Sequence, residues 1–304
     1  MTNSLQNEYS KRLNRVFTYI EANLNGDLSL ITLSEIAHFS PYHFHRIFKT
    51  ITGETLNTYV VRKRLEKAAA KLIRPENTSI SDIALNCGFN DHAVFGRAFK
   101  KRFGMSPTQF SKRYQGTYSK IDQTEHKIDQ NKEEIDSYLC KMETLKNWFT
   151  MNAKIMIRQI PNMEVAYITC MGPKNLGNVY TELLKWANAK RIFDPENTLV
   201  ITKYHDSFKF TEPEKVRMSA CITIDPKTEV EGHIGKSSIK KSEYLSGTFE
   251  IEPKDFDKAW ISMYRYLNEQ GYQKDDSEPL EILYNDFRKH PENKCHVEML
   301  IPIR

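Results

Sequence analysis

Cysteine is scarce and scattered. Cys87, Cys140, Cys170, Cys221 and Cys295 lie far apart, with no C-x-x-C pair. That spacing argues against a zinc site and a disulfide framework, and it points to a reducing compartment, the cytoplasm. Long apolar runs are also missing. No stretch approaches the ~18 residues that a membrane helix needs, so no membrane partner is expected. The opening MTNSLQNEYSKRLNR has no apolar h-region, and no secretory signal is expected. The chain as a whole shows little charge excess, with 44 Lys and Arg against 39 Asp and Glu. What is present suffices for folded cores: 39% of the 304 residues are hydrophobic, and the length predicts two domains or three.

The charge is unevenly placed. Residues 1–115 carry 17 basic and 9 acidic side chains, an excess of +8, and the remainder carries 27 and 30. A basic third attracts polyanions, nucleic acid above all, although a solvated basic surface has the same composition. Residues 9–115 read as helical. Leu13, Val16, Phe17, Ile20 and Leu24 recur three and four apart, and so do Tyr59, Val60, Leu65, Ala68, Ala69 and Leu72. Asn25-Gly26-Asp27 ends the first helix, and Ser79 or Thr78 caps the helix after Arg74-Pro75.

An internal repeat runs through this region. Leu33, Phe39, Phe44, Arg46, Phe48, Lys49 and Gly53 recur as Ile83, Phe89, Phe95, Arg97, Phe99, Lys100 and Gly104, offset by 50 residues before the turn and 51 after it. Each copy reads as helix, tight turn, helix. Ser40-Pro41 starts the second helix of copy one, and Asn90 or Asp91 that of copy two. The two units, joined by a long helix over about Leu56 to Leu72, resemble the DNA-binding domain of the AraC/XylS transcription regulators. The string ISDIALNCGFNDHAVFGRAFKKRFGMSPTQF carries most of that likeness. His38 departs from it, standing where many such turns have Gly, and His tolerates positive φ better than most residues.

The resemblance implies base contacts from Tyr42, His45, Arg46, His92, Ala93, Gly96 and Arg97, with His43 on the same exposed face. Arg46 and Arg97 either fork onto guanine or close internal salt bridges, and the duplicated motif favours DNA. Gly96 and Ala93 offer no side-chain hydrogen bond and allow close approach or methyl contact, so the second helix is expected to read fewer bases. Lys49, Lys100, Lys101 and Arg102 suit phosphates. His43 and His45 are two apart and point in different directions on a helix. No Cys or carboxylate completes a ligand set, so no metal and no cofactor are expected.

Residues 116–152 are polar and predicted helical. Ile121, Ile128, Ile135, Met142 and Phe149 fall seven apart, but Thr124, Asn131, Tyr138 and Leu145 are poor companions for a seam. The segment is either a dimer seam or an ordinary connector. The connector, and with it a monomer, is the expectation.

From 153 to 304 the pattern is mixed. IMIRQI, EVAYITC, TLVITKY and MSACITI read as strands, with helices over about Asn178 to Lys190 and Asp255 to Gln270. Ile160 to Val165, Tyr204-His205-Asp206 and Ile222-Thr223-Ile224 recur 79 or 80 residues later. The fold class is therefore multi-domain: an all-α double helix-turn-helix domain (1–115), a linker (116–152), and an α+β domain of two β-α-β-β repeats (153–304) with a cleft between them. This half resembles the GyrI-like effector-binding domain, through SGTFEIEPKDFDKAWISMYRYL, EPLEILYND and CHVEMLIPI. It departs at Thr248-Phe249, where the family often has Gly-Pro, and at Leu283, where it often has an aromatic.

Glu281 stands in a strand at the position of Ile201 in the first copy. Either it faces the cleft, or it lies on the solvent side and pairs with a surface Lys. The resemblance implies that it faces a ligand. Trp186, Tyr204, Phe249, Trp260 and Tyr284 are candidate walls, and a carboxylate among aromatics suits a lipophilic cation. Taken together, the two resemblances imply a cytoplasmic transcription regulator and not an enzyme, activating rather than repressing. Its implied partners are duplex DNA, a small-molecule effector and RNA polymerase. Two other functions stay open: hydrolysis of small electrophiles, with Glu281 as base beside Tyr204 or Tyr284, and docking on a DNA-processing enzyme.

Overall fold

The computed structural model describes residues 2–74, 78–114, 144–208 and 210–304. They form two compact units. One holds residues 1–117 with the short segments 210–215 and 229–235, and the other holds the rest. Among the described residues no helix is long and apolar enough to cross a membrane. Most of the proposed linker, including Ile121, Ile128, Ile135 and Met142, lies outside the described residues.

The first unit is built of helices α1 (Thr2–Ala22), α2 (Leu30–Ile36), α3 (Pro41–Thr52), α4 (Leu56–Leu72), α5 (Ile80–Asn86), α6 (His92–Phe103) and α7 (Pro107–Tyr114). Side-chain caps fix most of their starts. Ser29, Ser40, Thr55, Ser79 and Asp91 each accept from a backbone N–H two or three residues on, which satisfies donors the helix cannot. Leu33, Phe44 and Phe48 pack with Phe17 and Tyr59 in the first copy, and Phe95, Phe99, Phe103 and Phe110 pack ring against ring, tilted or edge-on, in the second.

The two helix turns have the same geometry. The amide of His38 bonds Glu35 and that of Phe39 bonds Ser34, and Gly88 and Phe89 repeat this on Leu85 and Ala84. His38 takes φ +53 and Gly88 takes +87. Gly88 also has no room for a side chain, since a Cβ there would lie 2.7 Å from Arg64 Nε and 2.8 Å from the Leu24 carbonyl. Arg64 in turn donates to the carbonyls of Leu24 and Gly26, tying α4 to the end of α1.

A buried ion network crosses the unit. Arg62 on α4 donates to Glu54 at 2.6 Å and to Glu66 at 3.1 Å, and Arg102 on α6 lies 3.7 Å from Glu66. Arg62, Glu54 and Glu66 are all buried.

The second unit opens with a helix over 144–152 (α8), followed by β1 (Ala153–Ile160), β2 (Met163–Met171), α9 (Leu176–Ala189), β3 (Val200–Tyr204), β4 (Arg217–Thr223), β5 (Gly235–Ile239), β6 (Ser242–Ile251), α10 (Phe256–Glu269), β7 (Leu280–Leu283) and β8 (Cys295–Ile303). The β-α-β-β order is present twice, with one strand ahead of each copy. All eight strands form one sheet, ordered β1-β6-β8-β7-β3-β4-β2-β5.

The leading strands are exchanged. β1 pairs along its whole length with β6 of the second copy, and β5 neighbours β2 of the first. In a flat sheet β1 and β2 would stand six spacings apart, about 29 Å. Two residues join them, spanning about 11 Å at most, so the sheet curls until its two ends approach. The connectors meet there, and Lys241 donates its amide to Asn162 at 2.6 Å. Inside the curl Ile160, Ile201, Cys221, Ile239, Tyr244, Ile282 and Leu300 form a core.

Removing one partner of a buried ion pair typically costs about 3–5 kcal/mol. Arg62→Met should therefore destabilise the helical unit by about that amount in urea denaturation followed by far-UV circular dichroism. Adding Glu54→Gln and Glu66→Gln should recover part of the loss, because no uncompensated charge then stays buried.

Candidate nucleic-acid interface and ligand cleft

Each second helix of the helical unit turns its phenylalanines inward, and its other face is thereby exposed. On α3, Phe44 and Phe48 are fully buried, and Tyr42 is 73% exposed. His43, Arg46 and Lys49 are exposed and His45 is half-buried. On α6, Phe95 and Phe99 are buried. His92, Ala93, Arg97, Lys100 and Lys101 are exposed, with Gly96 half-buried among them.

The two arginines at matching positions are not consumed internally. Among the described residues no ion pair holds Arg46 or Arg97. Arg46 lies over the Tyr42 ring at 5.9 Å, a cation–π contact that steadies the side chain without neutralising it. Arg102 differs, because it faces inward to Glu66 and is half-buried. Asp91 accepts from the amides of Ala93 and Val94, which holds its carboxyl below the usual range and keeps the α6 start rigidly capped.

In the second unit, α9 and α10 cover one face of the sheet. Glu281 sits on that face at the centre of the sheet, opposite Thr202 on β3 and Met299 on β8. The register corrects the expected repeat partner. Ile201 pairs with Ile282 and points into the curl, so Thr202, not Ile201, stands across from Glu281.

Glu281 is 2% exposed. Trp260 Nε1 donates to its Oε1 at 2.5 Å, and Tyr204 and Thr202 also donate to it. Tyr180 on α9 reaches Thr202 at 2.8 Å. The aromatic rings continue outward. Tyr204 meets Trp260 edge-on at 5.6 Å, Trp260 stacks on Tyr264 at 5.9 Å, and Phe208 lies 5.9 Å from Tyr204. No Lys, Arg or His forms an ion pair with Glu281 among the described residues. Burial pushes its carboxyl up to about 7, its three donors pull the other way, and Asp257 raises it further.

The six sequence candidates for the cleft therefore separate. Glu281, Tyr204 and Trp260 come together. Phe249 packs between Trp148 and Phe149 of α8, away from that contact. Tyr284 donates to Glu298 at 2.5 Å beside Arg158, and Glu298, one strand over, points to the sheet's other face. Trp186 lies on α9 with Lys190 over its ring at 6.0 Å. Of the two tyrosines considered beside Glu281 for hydrolysis, only Tyr204 touches it. Sequence reasoning missed Thr202, Tyr180, Phe208 and Tyr264. Tyr264 falls one turn after Trp260, a spacing that would have found it. Thr202 needed the register.

Comparisons with known proteins find a family match in each half of the chain. Residues 33–113 match a helix-turn-helix domain family, and residues 153–304, half the chain, match the GyrI-like small molecule binding domain. The chain is 38% identical to the probable transcription factor PqrA of Proteus vulgaris over 100 residues, 32% of this chain and 81% of that protein. It is 38% identical to the probable transcriptional regulator LumQ of Photobacterium leiognathi over 102 residues, and 39% identical to the bifunctional transcriptional activator/DNA repair enzyme AdaA of Bacillus subtilis over 101. Each of these covers 33% of this chain, and the chain spans only 41% and 47% of those two proteins. Among solved structures, the C-terminal domain of EcmrR is similar with a TM-score of 0.42 and 15% identity, over 50% of this chain and 98% of that one.

The raised Glu281 carboxyl predicts a pH effect. Its folded value, about 7, lies above its ordinary 4.5, so folding takes up a proton between those values. The contribution of this group to stability is then fully present below about pH 4.5 and is lost as pH rises through about 7, on the order of 3 kcal/mol in all. Urea denaturation across that window should show the wild type losing stability relative to Glu281→Gln by about that amount. Parallel profiles would mean that the carboxyl is not desolvated.

Proposed function

Since the chain belongs to the GyrI-like small molecule binding domain family and carries a helix-turn-helix domain ahead of it, we propose that it is a sequence-specific DNA-binding transcription regulator controlled by a small lipophilic cation. The observation that carries the DNA reading is the pair of matching helix faces. Each buries its phenylalanines and exposes at the same place one arginine, Arg46 or Arg97, that closes no ion pair among the described residues. An exposed guanidinium on such a helix face forks onto guanine O6 and N7, and the flanking Lys49, Lys100 and Lys101 take phosphates.

The effector reading rests on Glu281. A carboxyl that is buried beside Trp260 and Tyr204, with Tyr264 stacked on Trp260, and without a cationic partner is held partly protonated near neutral pH. An entering cation supplies the missing charge, and the rings bind its apolar body. Binding then expels a proton, and ordering of Trp260 and Tyr204 links the ligand to α10 and β3. Contact with RNA polymerase, activation rather than repression, and a monomeric state belong to this proposal as its finer parts.

Two measurements test it. Binding of the full chain to duplex DNA should weaken steeply with salt. Arg97→Ala should relax discrimination at one base pair by about 1–3 kcal/mol, while Lys101→Ala should weaken all sequences alike. A hydrophobic cation should quench tryptophan fluorescence. Glu281→Gln should weaken it by about 1–3 kcal/mol, as for loss of a charged partner, and hardly change a neutral ligand of similar shape. Salt-insensitive DNA binding would remove the first half of the reading, and equal cation affinity in the Gln variant would remove the second.

A further inference from the structure

Glycines in the helical unit mostly have reasons internal to the chain. Gly53 and Gly104 end α3 and α6 in the left-handed region at φ +74 and +76, and Gly88 turns at +87 with Arg64 against it. Gly96 has none of these. It lies in the middle of α6 with helical backbone, and a Cβ built on it meets nothing within 4 Å. A mid-helix glycine weakens a helix relative to alanine, and nothing among the described residues requires that weakness.

Its place on the helix points outside the chain. Phe95 and Phe99 fill the buried side, while Gly96 lies between exposed Ala93, Arg97 and Lys100. The corresponding residues of the first copy are Tyr42, His45, Arg46 and Lys49. The arginine and the lysine are kept in both copies. The side chains that would hold a helix away from its target shrink only in the second, from Tyr to Ala and from His to Gly.

We propose that Gly96 is a close-approach point. The α6 backbone comes into van der Waals contact with the duplex there, nearer than the α3 backbone does at His45, and the missing Cβ sets the depth at which Arg97 reaches its base pair. This rests on the DNA-binding reading above. A bidentate guanidinium contact tolerates little displacement, so any side chain at this position moves Arg97 off its target while leaving the protein fold undisturbed.

Stability and binding should therefore change in opposite directions. The probe is a duplex selected from a randomised pool by the wild-type full chain. Gly96→Ala and Gly96→Leu should both raise the melting temperature of the helical unit by a few degrees, since both residues favour helix over glycine. Affinity for the selected duplex should fall about 5- to 100-fold in the Ala variant, the range of a lost base-pair contact, and further in the Leu variant. The salt dependence should not change, because no charge is altered. Two stabilised variants that bind the duplex like the wild type would overturn the proposal. So would a loss of stability in Gly96→Ala, which would mean that the chain itself requires the glycine. If the wild-type chain selects no duplex at all, the DNA reading fails first and this inference falls with it.

Discussion

The guanidinium of Arg62, buried between Glu54 and Glu66, is the constraint on which the helical unit turns. Apolar packing of Phe44, Phe48 and Tyr59 is strong but non-directional, and it tolerates some rotation of α4. A buried ion chain does not, because desolvated charges gain only when their geometry is met. Glu54 sits where α3 ends, Arg62 and Glu66 lie on α4, and Arg102 comes from α6. The same chain of charges therefore fixes α4 about its axis and ties both helix-turn-helix copies to it. Arginines at Arg46 and Arg97, outside this chain, are left for other partners.

The second unit makes a similar distinction with glutamates. Glu281 and Glu298 lie on neighbouring strands, with Glu281 opposite Met299 and Ile282 opposite Glu298, so they point to opposite faces. Glu298 accepts from Ser246 at 2.6 Å, from Tyr284 and from Arg158, and these partners hold its carboxyl below the usual range despite burial. It is an ionised, internally satisfied group. Glu281 accepts only from neutral donors, and burial prevails. Two carboxylates within one hairpin thus have different chemistry because one has a cation and the other does not.

Much of this was legible from the residues. The offset of 50 and 51 residues located both helix-turn-helix copies, and His38 was recognisable as a positive-φ position because many such turns have Gly there. The α4 bounds follow directly from the apolar period. The candidate ligand site was harder, and the reason is register. A strand residue's face depends on a single-residue shift. Offsets of 79 and 80 look equally good in sequence, but only an odd offset puts Thr202 where Glu281 is and Ile201 on the opposite side. Tyr284 shares the aromatic character of Tyr204 but follows the β7 strand toward Glu298. Phe249 is claimed by α8, a packing partner separated from it by about a hundred residues of chain. The strand exchange of β1 and β5 leaves no mark on hydropathy, since exchanged and unexchanged strands bury the same alternation.

That exchange makes neither copy of the repeat self-sufficient. A polypeptide holding one copy with its leading strand would have a four-stranded sheet missing an edge, with that strand displaced and searching for an acceptor. A two-residue connector is the length of a tight hairpin, so in such a chain the strand can fold back on β2, into the place that β5 holds here. A second identical chain offers the other arrangement, each lending its first strand to its partner, which reproduces the eight-strand order as a domain-swapped pair. The present single chain has the topology that such a pair would acquire on being fused end to end, and a cut in the loop between Thr223 and Gly235 would leave two fragments still interlocked through β1 and β5.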